Sequence, residues 1–105
     1  MTLHEKKLGL LLSTQPDSRN FRHGVNLAEA ALTAGVKVYL YCIDDAVLGL
    51  DDPQLQSLKE RGLNLYACAY GAQKRNIPIN ELAVFSGLTI VNDLIAGTDR
   101  FLSFN

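Results

Sequence analysis

The sequence predicts an α/β fold: one layered domain with a mainly parallel β-sheet flanked by helices. Three observations predict it. Short apolar runs at Lys7–Ser13, Val36–Ile43 and Asn64–Tyr70 have the length of strands and lie between turn-forming residues. Segments with helical spacing of apolar residues separate the strands, so strand and helix alternate along the chain. A length of 105 residues with 48% hydrophobic side chains suits a single domain, residues 1–105, with a real core.

Lys7–Ser13 (KLGLLLS) is almost continuously apolar, the pattern of a strand covered on both faces. Thr14–Asn20 is rich in turn formers; Pro16 disfavours helix at Gln15, and Asp17, Ser18 and Asn20 are all suitable caps. A helix is expected over Phe21–Ala34, with Phe21, Val25, Ala28, Ala31 and Leu32 on one face and Gly35 as its stop. Val36–Ile43 (VKVYLYCI) is the second strand, and places Cys42 among apolar neighbours as a packing residue. Asp44 and Asp45 end it; paired acids there suit a metal or acid–base chemistry, but more often are solvated turn residues, the reading favoured here. Ala46–Leu50 is unusually apolar for a connection, so it is either tucked against the core or part of a contact surface.

Asp52-Pro53 marks the start of the next helix, with Asp as the cap and Pro in the first turn. Leu55 and Leu58 face inward, and Arg61-Gly62 close it. The third strand, Asn64–Tyr70, alternates so that Asn64, Tyr66, Cys68 and Tyr70 share one face. The two tyrosines would then flank Cys68, as pocket-lining hydroxyls or simply as packing rings. Gly71 is expected to bend the chain into a basic helical turn, Ala72–Arg75. Asn76-Ile77-Pro78 interrupts any helix, and Ile79–Ser86 is ambiguous between short helix and extended chain. Leu88, Val91, Leu94 and Ile95 have helical spacing up to Gly97, and Arg100–Phe104 is apolar enough for a last strand.

Composition narrows the function. A net charge of −1, from ten basic and eleven acidic residues, offers no cationic excess for nucleic acid. The apolar run Leu8–Leu12 is too short for a membrane span or a signal peptide, so a cytoplasmic location is expected. Two cysteines make no disulfide framework, and both are expected as free thiols. His4, His23, Cys42 and Cys68 lack metal-ligand spacing, so no metal is expected. No phosphate loop, dinucleotide fingerprint or nucleophile elbow is present.

Cys68 stands out for its place. Chemistry in parallel sheets gathers beyond the C-terminal ends of the strands, and Cys68 lies near such an end. Amides at the start of the following turn, together with Lys74 and Arg75, favour a thiolate there. The competing reading is that Cys68 only fills core volume.

Cys68, three residues, then Ala72-Gln73-Lys74-Arg75 resembles the active-site segment of the DsrE/DsrF-like (TusD-like) sulfur-relay family, in which a strand-end cysteine precedes an Ala-Gln-basic-Arg run. The specific likeness spans about Tyr66–Arg75, with weaker support from the Thr98-Asp99-Arg100 tail; Asn76 stands where a glycine often follows the basic pair. The resemblance implies a DsrE/YchN-like fold and a persulfide carrier. Cys68 would be the sulfur-bearing residue, with Tyr70, Gly71, Gln73, Lys74 and Arg75 around it. It implies no organic cofactor. The partners would be a sulfur donor and a sulfur acceptor protein, in a homo-oligomer or a hetero-oligomer with sister subunits. Ala46–Leu50 and the last strand are the expected contact surfaces. The alternatives on the same fold are a non-catalytic structural or regulatory subunit and a small-molecule binding module.

Overall fold

The apolar run near the start of the chain becomes the strand from which the sheet grows in both directions. The computed structural model describes residues 5–105. In chain order the elements are β1 (Lys7–Leu12), α1 (Arg19–Thr33), β2 (Lys37–Cys42), a 3-10 helix (Asp44–Gly49), α2 (Pro53–Glu60), β3 (Asn64–Cys68), α3 (Ala69–Lys74), β4 (Val84–Ser86), α4 (Thr89–Gly97) and β5 (Arg100–Phe104). The five strands form one sheet in the order β4-β3-β2-β1-β5, and every pairing is parallel. Parallel neighbours require crossover connections, which the helices supply.

Strand alternation divides the core between the two faces of the sheet. Leu10, Leu12, Val38, Leu40, Cys42, Leu65 and Ala67 point to one face and are buried there. On that face α1 lies close to β1, because Gly24 leaves no room for a side chain against Leu12. Ser18 caps α1 by accepting the amide of Phe21 at 3.1 Å, and Asp52 caps α2 by accepting that of Leu55 at 3.1 Å. The same Asp52 receives Arg22 at 3.1 Å, tying α1 to α2. On the opposite face Tyr39 and Tyr66 lie beside Ile90 and Leu94 of α4.

Two expectations are corrected and two open readings are resolved. The third strand stops at Cys68, two residues early, because Ala69 and Tyr70 already belong to α3. Of the two readings of Ala46–Leu50 the structure bears out the one tucked against the core: Ala46, Val47, Gly49 and Leu50 are buried, and of these five residues Leu48 alone is exposed. Its apolar character is that of core. The ambiguous Ile79–Ser86 is an irregular stretch ending in β4, an edge strand of three residues. Asp45 is not simply solvated, since it holds the guanidinium of Arg75.

Candidate functional site

The connections that follow β3 and β4 part company. After β3 the chain turns into α3, which packs on the 3-10 helix; after β4 it turns into α4, which packs on β1 and β5. A crevice opens where neighbouring parallel strands send their chains apart in this way. Here it is a cavity of about 340 Å³ bordered by Ile43 and Asp44 after β2, by Cys68 and α3, and by Gly87 and Leu88 after β4.

Cys68 is the last residue of β3 and the cap of α3, with an extended backbone (φ −69°, ψ 115°). A thiol has taken the place usually held by Ser, Asp or Asn: its Sγ accepts the amide hydrogen of Gly71 at 3.3 Å. The residue is 5% exposed, and it borders the cavity. Gly71 does not bend the chain as expected. It lies inside α3 and is not among the glycines with positive φ. It provides clearance instead: a Cβ at this position would lie 3.6 Å from the Cys68 sulfur and 3.7 Å from the Asp44 amide nitrogen.

Asn76 does require the special backbone. Its φ of 58° is left-handed, a conformation cheap for glycine and tolerated best, among other residues, by Asn and Asp. An asparagine is therefore suited to this position.

The remaining expected residues divide. Tyr70, Gly71, Lys74 and Arg75 border the same cavity as Cys68. Tyr70 is there as a rim residue of α3, 70% exposed, and not as a strand neighbour of the cysteine. The Lys74 ammonium lies 5.9 Å from the centre of its ring. Arg75 contributes structure more than free charge. Its Nη2 and Nε donate to Asp45 Oδ1 at 2.9 and 3.2 Å, and its Nη1 donates to the Gly71 carbonyl at 3.2 Å. Gln73 is exposed and borders a neighbouring depression with Ile77 and Ile79, away from Cys68.

The tyrosine that does meet Cys68 is Tyr41, which sequence reasoning passed over. β2 and β3 pair with Tyr41 opposite Tyr66, and β3 and β4 pair with Cys68 opposite Ser86, so Tyr41, Tyr66, Cys68 and Ser86 share one face. Tyr41 is fully buried, and its hydroxyl donates to the carbonyls of Ser86 at 3.2 Å and Gly87 at 3.3 Å. Burial, and then the adjacent Cys68 thiol, push the phenol up to about 12. The Ser86 hydroxyl is buried beside it with no hydrogen-bond partner among the described residues. The signal lay in strand order: once β2 and β3 are neighbours, a tyrosine near the end of β2 falls beside the end of β3.

Cys42 lies on the other face, fully buried, where burial alone pushes its thiol up to about 12. Both cysteines are free. His4 lies outside the described residues. Among the described residues no three His, Cys, Asp or Glu side chains gather as metal ligands, and no helix is long and apolar enough to cross a membrane.

The family model described as the DsrE/DsrF-like family matches residues 6–104 of the chain. No curated protein sequence matches it. Among solved structures, the crystal structure of the YchN protein from E. coli aligns with a TM-score of 0.80 at 17% identity, covering 94% of this chain and 99% of that one. At that identity the likeness is one of fold.

Proposed function

The chain belongs to the DsrE/DsrF-like family, and on that premise we propose that it is a sulfur carrier that holds sulfane sulfur as a persulfide on Cys68. The observation that carries this reading is the Gly71 amide directed at the Cys68 sulfur where it borders a cavity. A helix-start amide stabilises negative sulfur. In loading, the Cys68 thiolate attacks the terminal sulfur of a donor persulfide; that sulfur–sulfur bond breaks and the donor departs as a thiolate. In delivery, an acceptor thiolate attacks the sulfur now bound to Cys68, and Cys68 departs as the thiolate. Neither step changes the total oxidation level, so neither needs an organic cofactor.

The partners in this reading are donor and acceptor proteins that reach the cavity over its rim. Tyr70 and Leu88 are exposed apolar side chains around it, at 70% and 57% exposure, and Ile79, 74% exposed, borders the adjoining depression. Such a cluster suits protein contact. Assembly with copies of the chain or with sister subunits belongs to the same proposal. The apolar rim supports it, as does the exposed Leu102 on the edge strand β5. A reducing, cytoplasmic setting suits a carrier whose working group is a free thiol.

The test is the mass of the intact protein after exposure to a small-molecule persulfide donor. The carrier gains one or more sulfur atoms, and the gain is removed by a thiol reductant. Unchanged mass, with Cys68 inert to alkylation until the protein is denatured, would favour a structural subunit on the same fold.

A further inference from the structure

A departing Cys68 thiolate needs more than one hydrogen-bond donor when it is almost wholly removed from water. The Gly71 amide is one. A second donor beside Cys68, on the same face of the sheet, is the hydroxyl of Tyr41. It already bonds the carbonyl of Ser86, the residue paired directly with Cys68 across the sheet. Those bonds, at 3.2 and 3.3 Å to two carbonyls, are long and shared. A hydroxyl turns about its C–O bond at little cost, so its hydrogen is free to leave them for a better acceptor. The phenol keeps that hydrogen at neutral pH, being pushed up to about 12.

We propose that Tyr41 is a catalytic residue of sulfur delivery, whose hydroxyl swings from the Ser86 and Gly87 carbonyls to donate to the Cys68 sulfur as it becomes a thiolate. The inference rests on the carrier reading for its biological step, but the chemistry asked of Tyr41 is wider: it serves any departure of Cys68 from a sulfur–sulfur bond. In delivery, Cys68–S–SH and an acceptor thiolate R–S⁻ give Cys68–S⁻ and R–S–SH. The bond between Sγ and the outer sulfur breaks, a bond between that sulfur and the acceptor forms, and the electron pair goes to Sγ. The outer proton travels with the transferred sulfur, so Tyr41 lends a hydrogen bond and loses no proton. The unpartnered Ser86 hydroxyl is placed to take up the phenol oxygen as the tyrosine hydrogen turns away.

The experiment uses the full chain with Cys42→Ala, so that Cys68 is the only thiol. Methyl methanethiosulfonate places a methylthio group on Cys68, and dithiothreitol removes it by attack on the small outer sulfur, with Cys68 leaving. Tyr41→Phe keeps the ring and deletes the hydroxyl. The release rate is expected to fall roughly tenfold, the worth of one hydrogen bond to a charged group, with the melting temperature near that of the parent. An unchanged rate in a folded variant overturns the proposal and leaves Tyr41 as core. A second measurement needs no variant. With tyrosine labelled at the phenolic carbon, the Tyr41 signal is expected to shift when methylthio-Cys68 is converted to the thiolate at alkaline pH below the phenol's own titration; a static signal overturns the proposal too. Both readouts are independent of sulfur carriage. A chain that never takes up sulfane sulfur, yet loses release rate in Tyr41→Phe, would end the carrier reading and leave this inference standing.

Discussion

The sulfur of Cys68 accepts the amide hydrogen of Gly71 at 3.3 Å, so that the cap of α3 and the candidate sulfur-bearing residue are one side chain. The helix needs that acceptor, because its first amides have no partner within the helix. The sulfur in turn gains a donor that does not depend on a flexible side chain. Fold and chemistry are therefore coupled at this position, and a replacement at Cys68 must satisfy both.

Gly71→Ala separates the two demands. Alanine is the better helix former by about 1 kcal/mol, and its Cβ would lie 3.5–3.7 Å from its neighbours, an ordinary contact distance. The resting protein is expected to melt at the same temperature or higher. Sulfur uptake is expected to fall, since the methyl group occupies space that a second sulfur needs. Chemical denaturation and sulfur loading of the same preparation check both halves; undiminished loading would show that the outer sulfur lies away from Gly71.

Lys74 and Arg75 are expected to behave differently despite adjoining in sequence. Arg75 is neutralised by Asp45, whereas Lys74 makes no ion pair among the described residues and borders the cavity. Lys74→Ala should lower the rate of Cys68 with anionic iodoacetate relative to neutral iodoacetamide, by roughly threefold at low salt. Arg75→Ala should leave that ratio nearer the parent value and show mainly as a stability loss of less than about 1 kcal/mol, the usual range for a half-exposed pair. Equal ratios in all three proteins would mean that neither charge reaches the sulfur.

The sheet and the cysteine were legible because period-two patterning and capping chemistry are local. Asp52-Pro53, Gly35 and Gly62 end or begin helices where the chain reads them, the two glycines at φ 90° and 112°. What was not legible depends on contacts between distant segments. Tyr70 continues the alternation of Asn64, Tyr66 and Cys68, and nothing local tells a strand that its last residue caps a helix. Tyr41 becomes a neighbour of Cys68 only through the pairing of β2 with β3. Arg75 reads as free charge until Asp45, thirty residues earlier, is brought beside it. Val84–Ser86 has too few residues for a periodicity, and is a strand because β3 offers it an edge.

Cys42 is expected to take no part in sulfur carriage. It is fully buried on the opposite face of the sheet and pushed up to about 12 by that burial. Cys42→Ala should lower stability on the order of 1 kcal/mol, through a small packing defect, and leave sulfur loading intact. A folded Cys42→Ala protein that no longer loads sulfur would require a two-cysteine relay.

The central claim is that Cys68 bears the sulfur, and peptide mass spectrometry of wild type and Cys68→Ser after exposure to a persulfide donor tests it most directly. Serine keeps the size and offers an oxygen to the Gly71 amide, so the domain stays folded. The added sulfur is predicted on the wild-type peptide containing Cys68 and absent from every peptide of the variant. Sulfur loading of Cys68→Ser to the wild-type level, or added sulfur found only on the peptide containing Cys42, would contradict it.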